Sequence, residues 1–340
     1  MACRRRLQSS GVGRVEAVSE FDIIRRYFSA HRGLRADVVL GVGDDGALTT
    51  PAAGMQLVSV LDTLVEGVHF FPDVEPGALG RKLAAVNLSD MAAMGAEPAW
   101  ALLGLTNPDA EADWLARFSD GLLTMLRAYG VALIGGDTTL GARTVSLTML
   151  GMTPPGLGLL RSGAQVDDDV WVSGQLGGAA LALAHHQQGL ALDAAVLARV
   201  DARLCTPQPR CALGKALRGL ATAAIDISDG LLADLDHVLL ASGVGARIDC
   251  DALPLHPDLP GAVADPGVRL RLALAVGDDY ELLFTASAAQ RAAIQALAQP
   301  LDLTLTRIGV VTSQPGALCL EAQGRSVPLP SSRGFDHFSG

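Results

Sequence analysis

The feature that most restricts this chain is where its aspartates stand. They recur in short glycine-flanked or strand-flanking segments: Gly43-Asp44-Asp45-Gly46, Leu61-Asp62-Thr63, Gly135-Gly136-Asp137-Thr138-Thr139, Asp226-Ile227-Ser228-Asp229-Gly230 and Gly277-Asp278-Asp279. Any one of them taken singly is ordinary turn chemistry. Five in one chain, most of them beside an apolar run, point to strands that end at a shared cleft. A carboxylate at the end of a strand is rigidly held yet reaches outward, and neighbouring glycines let a bulky anion approach the backbone. Asp90 adds a sixth position, inside a helical pattern with Asn87 one turn earlier and apolar Leu88, Met91 and Met94 around it. Several carboxylates in one place repel each other unless a cation sits between them. Magnesium suits that task, because it takes hard oxygen ligands and bridges carboxylates to phosphate oxygens.

The rest of the sequence narrows the class. The chain has 340 residues, 49% hydrophobic and 18% charged, enough for one large core or two ordinary ones. Aromatics are only 4%, which argues against stacking platforms for single-stranded nucleic acid. The net charge is -10, and the one basic cluster is Arg4-Arg5-Arg6, read as a solvated tail, so no nucleic-acid partner is expected. No apolar run has the length of a membrane span, and the basic start has no apolar stretch behind it. Cys3, Cys205, Cys211, Cys250 and Cys319 are odd in number and form no C-x-x-C pair, which fits reduced thiols in a cytoplasmic protein.

Periodicity predicts helices over 20–28 (capped by Ser19, with Phe21, Ile24 and Phe28 on one face), 78–94, 111–129, 176–186 and 231–240. Gly95 and Gly130 close the second and third. Strands are predicted over 57–61, 99–105, 131–134, 145–150, 169–173, 223–227, 246–250, 281–285 and 306–311. Strands mixed with helices in each half give an α/β (α+β) chain of two domains. The Pro154-Pro155-Gly156 segment marks the boundary. The expected division is a flexible tail over 1–18, an N-terminal domain over 19–152 and a C-terminal α/β domain over 159–340.

Familiar catalytic motifs are missing. Gly214-Lys215 is followed by Ala216, so there is no P-loop. Gly41-Val42-Gly43-Asp44-Asp45-Gly46 is not a dinucleotide fingerprint. His185-His186 reads as a surface pair. His69, seven residues after Asp62, falls in a segment expected to line the cleft.

These motifs carry a resemblance. Gly41 to Asp45, Asp62-Thr63-Leu64-Val65-Glu66-Gly67-Val68-His69-Phe70, Lys82 to Pro98 (KLAAVNLSDMAAMGAEP), Leu133 to Thr139, Arg161 to Ala164, Ala224 to Leu231, Gly277 to Leu282 and Phe335-Asp336-His337-Phe338 resemble the thiamine-monophosphate kinase family. That family shares a superfamily with the aminoimidazole ribonucleotide and selenophosphate synthetases. The resemblance implies ATP-dependent phosphorylation of thiamine monophosphate to thiamine diphosphate. It also implies a homodimer paired through the N-terminal domain, whose mixed sheet carries helices, and a C-terminal domain closing over the nucleotide. By position it implies several magnesium ions on Asp45, Asp62, Asp90, Asp137, Asp226 and Asp229. Gly136, Asp137, Arg161 and Ser228 are implied as ATP contacts, and His69, Asp278 and Phe335 as thiamine phosphate contacts.

Three positions depart from the family pattern. Val60-Leu61 stand where the family has Ser-Thr, Asp278 stands where it has Glu, and residues before about Val18 exceed the usual start. The acceptor is already an anionic phosphate, so no general base is assigned; direct in-line transfer without a phosphoenzyme is expected. Another ATP-using member of the superfamily and a non-catalytic nucleotide-binding subunit are the alternatives at this point.

Overall fold

The computed structural model describes residues 20–29 and 35–335. The expected tail over 1–18, the Ser19 cap, Cys3 and the Arg4-Arg5-Arg6 cluster lie outside the described residues, as do Asp336, His337 and Phe338.

The first half runs α1 (Glu20–Ile23), β1 (Val38–Leu40), β2 (Leu48–Thr49), β3 (Gln56–Val65), α2 (Pro76–Ala93), β4 (Glu97–Asn107), α3 (Ala112–Ala128), β5 (Ala132–Leu140) and β6 (Thr144–Thr153). Its main sheet has the order β3-β6-β4-β5, antiparallel except for the parallel β4–β5 pair, and β1–β2 form a separate ribbon. The second half runs β7 (Asp169–Ser173), α4 (Gly178–His186), α5 (Ala194–Cys205), α6 (Cys211–Ala216), β8 (Ala223–Asp226), α7 (Leu231–Ser242), β9 (Gly245–Asp249), α8 (Leu259–Ala262), α9 (Pro266–Ala275), β10 (Leu282–Ala286), α10 (Arg291–Ala296), β11 (Leu305–Thr312), β12 (Leu318–Ala322) and β13 (Arg325–Val327). Its seven strands form one mixed sheet in the order β13-β12-β9-β11-β7-β10-β8. The α/β (α+β) class expected from the sequence is the class observed.

Two local details differ from the periodic reading. α1 continues over Ile24–Phe28 as a π-type turn in which the Ser29 N–H reaches the Ile24 carbonyl at 3.0 Å. The wider turn puts Ile23 and Phe28, five residues apart, into the core, while Ile24 is half-buried. Strands β3 and β5 also run further than their apolar stretches. Asp62 and Asp137 therefore sit within strands rather than just beyond their ends.

Helix α2 is the axis of the molecule. Nearly all of its residues are buried, polar Lys82, Asn87 and Ser89 among them. Glu75 caps it by accepting from the Gly77 and Ala78 amides at 2.8 and 2.6 Å. On one side it meets α3 at very short range. A Cβ on Gly121 would stand 2.0 Å from the Gly77 carbonyl oxygen, and one on Gly80 2.3 Å from that of Phe118. On its other side it meets the second half. Gly214 of α6 lies against Ala92, the Cys211 thiol donates to the Leu88 carbonyl at 3.2 Å, and Arg218 Nε donates to the Gly95 carbonyl at 2.6 Å. Gly95, left-handed at φ +61, lets the chain leave the helix for β4.

Candidate active site

The site begins where α2 faces the C-terminal sheet. Ser89, fully buried, donates its hydroxyl to Asp226 Oδ2 at 2.7 Å. Asp226 ends β8, and the extended β3 brings Asp62 to the same place. Burial, and then the charge of Asp226, push the Asp62 carboxyl up to about 6. Asp90, one residue beyond Ser89, is pushed up to about 8 by burial and by Asp226 and Asp62 together. Asp226 itself is raised chiefly by burial, against the favourable bond from Ser89. Three carboxylates from β3, α2 and β8 thus sit in one another's field. Asp62 Oδ2 is buried and has no hydrogen-bond partner among the described residues. Arg161, exposed at the rim, is the cation whose field eases the charge on Asp90 and Asp226.

The turn after β8 is rigid. Asp234, in the first turn of α7, accepts from the Ser228, Asp229 and Gly230 amides at 3.1, 3.2 and 3.2 Å. Asp229 lies close enough to raise the neighbouring Asp226 and Asp234 carboxyls. The Phe335 amide donates to the Asp229 carbonyl at 3.0 Å, which brings half-exposed Phe335 to this turn. Asp278 stands across from it, its amide donating to the Ser228 carbonyl at 2.8 Å. His69 is half-buried, and its Nδ1 accepts the Val65 amide at 3.0 Å, which leaves Nε2 as the ring nitrogen that carries a proton.

Asp45 and Asp137 are placed differently. They line a cavity of about 300 Å³ along β5, together with Gly136, Thr138 and Phe28. Gly136 has φ +152, and a Cβ there would meet the Leu103 carbonyl oxygen at 2.0 Å, so only glycine fits. The register ties the two places together. Asp62 pairs with Leu147, Leu147 with Leu103 and Leu103 with Gly136. This single row spans three strand spacings, about 14 Å. The six aspartates singled out in the sequence thus fall into two groups, Asp62, Asp90 and Asp226 with Asp229 beside them, and Asp45 with Asp137.

The sequence reading missed four contributors. Ser89 and Lys82 lie on α2 seven residues apart, a helical repeat that a search outward from Asp90 would have found. Tyr280 belongs to the Gly277–Leu282 motif and feels the charges of Asp278, Asp62 and Asp226. Asp234 lies four residues past Gly230 and gives no signal before its turn is seen. Asn87, singled out with Asp90, is wholly buried. Its amide donates to the Leu83 carbonyl at 2.9 Å, and its Oδ1 has no partner among the described residues.

Residues 43–153 match the profile of the AIR synthase related protein N-terminal domain, and 165–318 match its C-terminal domain. The thiamine-monophosphate kinase of Escherichia coli (strain K12) is 45% identical over 324 residues, covering 95% of this chain and 99% of the relative. The chain belongs to the thiamine-monophosphate kinase family. The crystal structure of thiamine-monophosphate kinase from Stenotrophomonas maltophilia K279a superimposes with a TM-score of 0.81 at 44% identity, covering 92% of this chain and 98% of that one. A structure of AaThiL complexed with AMPPCP and TMP superimposes with a TM-score of 0.74 at 29% identity, covering 97% and 100%. As a thiamine-monophosphate kinase family member, the chain is an enzyme of the kinase class.

The donor chemistry of the three-carboxylate group fits a hard cation. It offers oxygens only, Arg161 only partly offsets their mutual repulsion, and one buried oxygen of Asp62 lacks a partner among the described residues. Among the described residues no three His, Cys, Asp or Glu side chains by themselves form a metal-holding group. Magnesium accommodates that, since it retains water and is held by one or two carboxylates together with substrate phosphates.

Proposed function

We propose that this chain transfers the γ-phosphoryl group of ATP to the phosphate of thiamine monophosphate, yielding ADP and thiamine diphosphate. The observation that carries the reading is the assembly of Asp62, Asp90 and Asp226 from both halves of the chain, with one Asp62 carboxylate oxygen buried and unpartnered among the described residues. The AaThiL relative supports it, as a family protein complexed with the ATP analogue AMPPCP and with TMP.

Asp62, Asp90 and Asp226, with Asp229 beside them, would hold magnesium on one side of the site, and Asp45 and Asp137 on the other. Bound there, magnesium supplies the positive charge that lets two polyanions meet in a protein of net charge -10. The chain's own groups position and orient. Gly136 lets a phosphate approach β5, and Arg161 offers a planar fork to phosphate oxygens at the rim. Ser228 lies on the turn that Asp234 fixes. His69 carries a donor proton on Nε2, Asp278 faces the Ser228 turn, and Phe335 offers an aromatic face for the thiamine moiety. The attacking acceptor oxygen is already anionic near neutral pH, so no side chain need remove a proton. A bond forms from that oxygen to the γ-phosphorus as the β–γ bridging bond breaks in line, and the charge leaves with ADP.

The same reading places the enzyme in the cytoplasm as a homodimer. Leu57 and Leu61 project together from β3, Leu61 with 62% of its surface exposed, which supports pairing through this edge of the N-terminal sheet. It also keeps the working units at 19–152 and 159–340, with 1–18 as a tail. No helix among the described residues is long and apolar enough to cross a membrane. Formation of thiamine diphosphate from thiamine monophosphate and magnesium-ATP by purified protein tests the reading; ATP binding without that product would refute it.

A further inference from the structure

Residues Gly277 to Glu281 carry unusual strain. Asp278 and Tyr280 both adopt left-handed backbone, at φ +61 and +50, beside Gly277 at +83. Such conformations in residues with a Cβ persist only where their surroundings over-determine them. The C-terminal domain supplies most of that constraint. The Asp278 amide donates to the Ser228 carbonyl and the Tyr280 amide to the Ile227 carbonyl, both at 2.8 Å. The Gly177 amide donates to the Asp279 carboxylate at 3.1 Å, and buried Glu281 receives Arg210 Nε at 2.6 Å.

One ionic tether comes from the other domain. Lys82 of α2 is only 5% exposed, yet its Nζ lies 3.1 Å from Asp278 Oδ1. A buried ammonium is costly unless paired, and Asp278 is the carboxylate that pairs it. Tyr280 is hydrogen-bonded to the same Asp278 side chain and feels Asp62 and Asp226. Lys82 and Ser89 are seven residues apart, two turns or about 10 Å along α2. Ser89 holds Asp226, and Lys82 holds Asp278. The helix thus grips the C-terminal domain at two rungs on one face, one at the acid cluster and one at the strained segment.

We propose that Lys82 is a positioning residue: its ion pair with Asp278, made across the domain junction, fixes the strained 277–280 segment against the acid cluster and so sets the seat of the phosphate acceptor. The consequence for the acceptor rests on the kinase reading above; the tether itself does not.

The test uses the full-length protein and the variants Lys82→Met, Asp278→Asn and their double, with Lys82→Arg as the charge-restoring control. Hydrogen exchange reads the tether directly. Lys82→Met is expected to speed amide exchange at Asp278 and Tyr280 about tenfold or more while the exchange of β7 and β10 stays unchanged. Steady-state kinetics read the consequence. KM for thiamine monophosphate is expected to rise about tenfold in Lys82→Met while KM for ATP stays within about twofold, with partial recovery in Lys82→Arg. The double variant is expected to be no worse than the worse single one, because the pair acts as a unit. Unchanged exchange at 277–280 in Lys82→Met overturns the proposal, as does a double variant whose defects multiply. Wild-type protein that makes no thiamine diphosphate refutes the kinase reading instead, and the exchange result then decides the tether alone. If Lys82→Met does not fold, Lys82→Arg and Asp278→Asn carry the exchange comparison.

Discussion

Ser89 and Asp226, 137 residues apart in the chain, are joined by a 2.7 Å hydrogen bond from the serine hydroxyl to the aspartate Oδ2, with both side chains buried. This bond crosses from α2 to the C-terminal sheet at the centre of the acid cluster. It favours the charged form of a carboxyl that burial otherwise pushes toward protonation. Ser89→Ala is therefore expected to raise the Asp226 pKa further. The acid limb of the kcat/KM profile should move to higher pH, and stability to denaturant should fall by about 1 to 2 kcal/mol. A pH profile that does not move would contradict this role for Ser89.

The acid cluster makes a pH prediction whose sign is fixed. Asp62 at about 6 and Asp90 at about 8 bind protons more tightly in the folded state than a free carboxylate at 3.8 does. The folded state thus holds more protons than the unfolded one between roughly pH 4 and pH 8, and stability falls as pH rises through that window. In chelator, urea midpoints should decline from pH 5 to pH 8, and Asp90→Asn should flatten the decline. Added magnesium should stabilise the wild type most at the upper end of the range. An equal magnesium effect at pH 5 and pH 8 would count against these carboxylates as its ligands.

Gly136 tests the β5 side of the site. Its positive φ and the 2.0 Å approach to the Leu103 carbonyl leave no room for a methyl group. Gly136→Ala is expected to cost about 1 to 3 kcal/mol of stability through strain. Displacement of Asp137 should also raise KM for ATP more than KM for thiamine monophosphate. Equal changes in both constants would remove β5 from the nucleotide side.

Much of this fold was legible, and the reasons are specific. α2 and α3 were readable because Gly95 and Gly130 punctuate them, and β7 because its β-branched and aromatic Val170-Trp171-Val172 stretch is bounded by polar Asp169 and Ser173. The ends of β3 and β5 were not readable. Pairing with β6 and β4 draws Asp62 and Asp137 into the ladder against the polarity of their side chains. The aspartates themselves stood out by composition and spacing, but their division into two groups is a matter of register and of α2 packing, which no local pattern carries. Lys82 was hidden for a similar reason: a lysine in a helix reads as a solvated charge until a carboxylate 196 positions later is found against it.

The Arg210–Glu281 pair should be among the most sensitive ion pairs in the chain. Glu281 is 1% exposed and receives Arg210 and the Ser173 hydroxyl, the latter at 2.6 Å. Arg210→Leu removes the main counter-charge of a buried carboxylate, and a loss of about 3 to 5 kcal/mol in urea unfolding is expected. Replacing both partners, Arg210→Leu with Glu281→Gln, should recover part of that loss.

The most direct test of the account is thiamine diphosphate formation by Asp226→Asn across a magnesium titration, beside wild type and with folding verified. Loss of the central carboxylate is expected to cut turnover by about a hundredfold or more and to shift half-saturation to higher magnesium. A folded Asp226→Asn enzyme with wild-type turnover and an unmoved magnesium curve would contradict it.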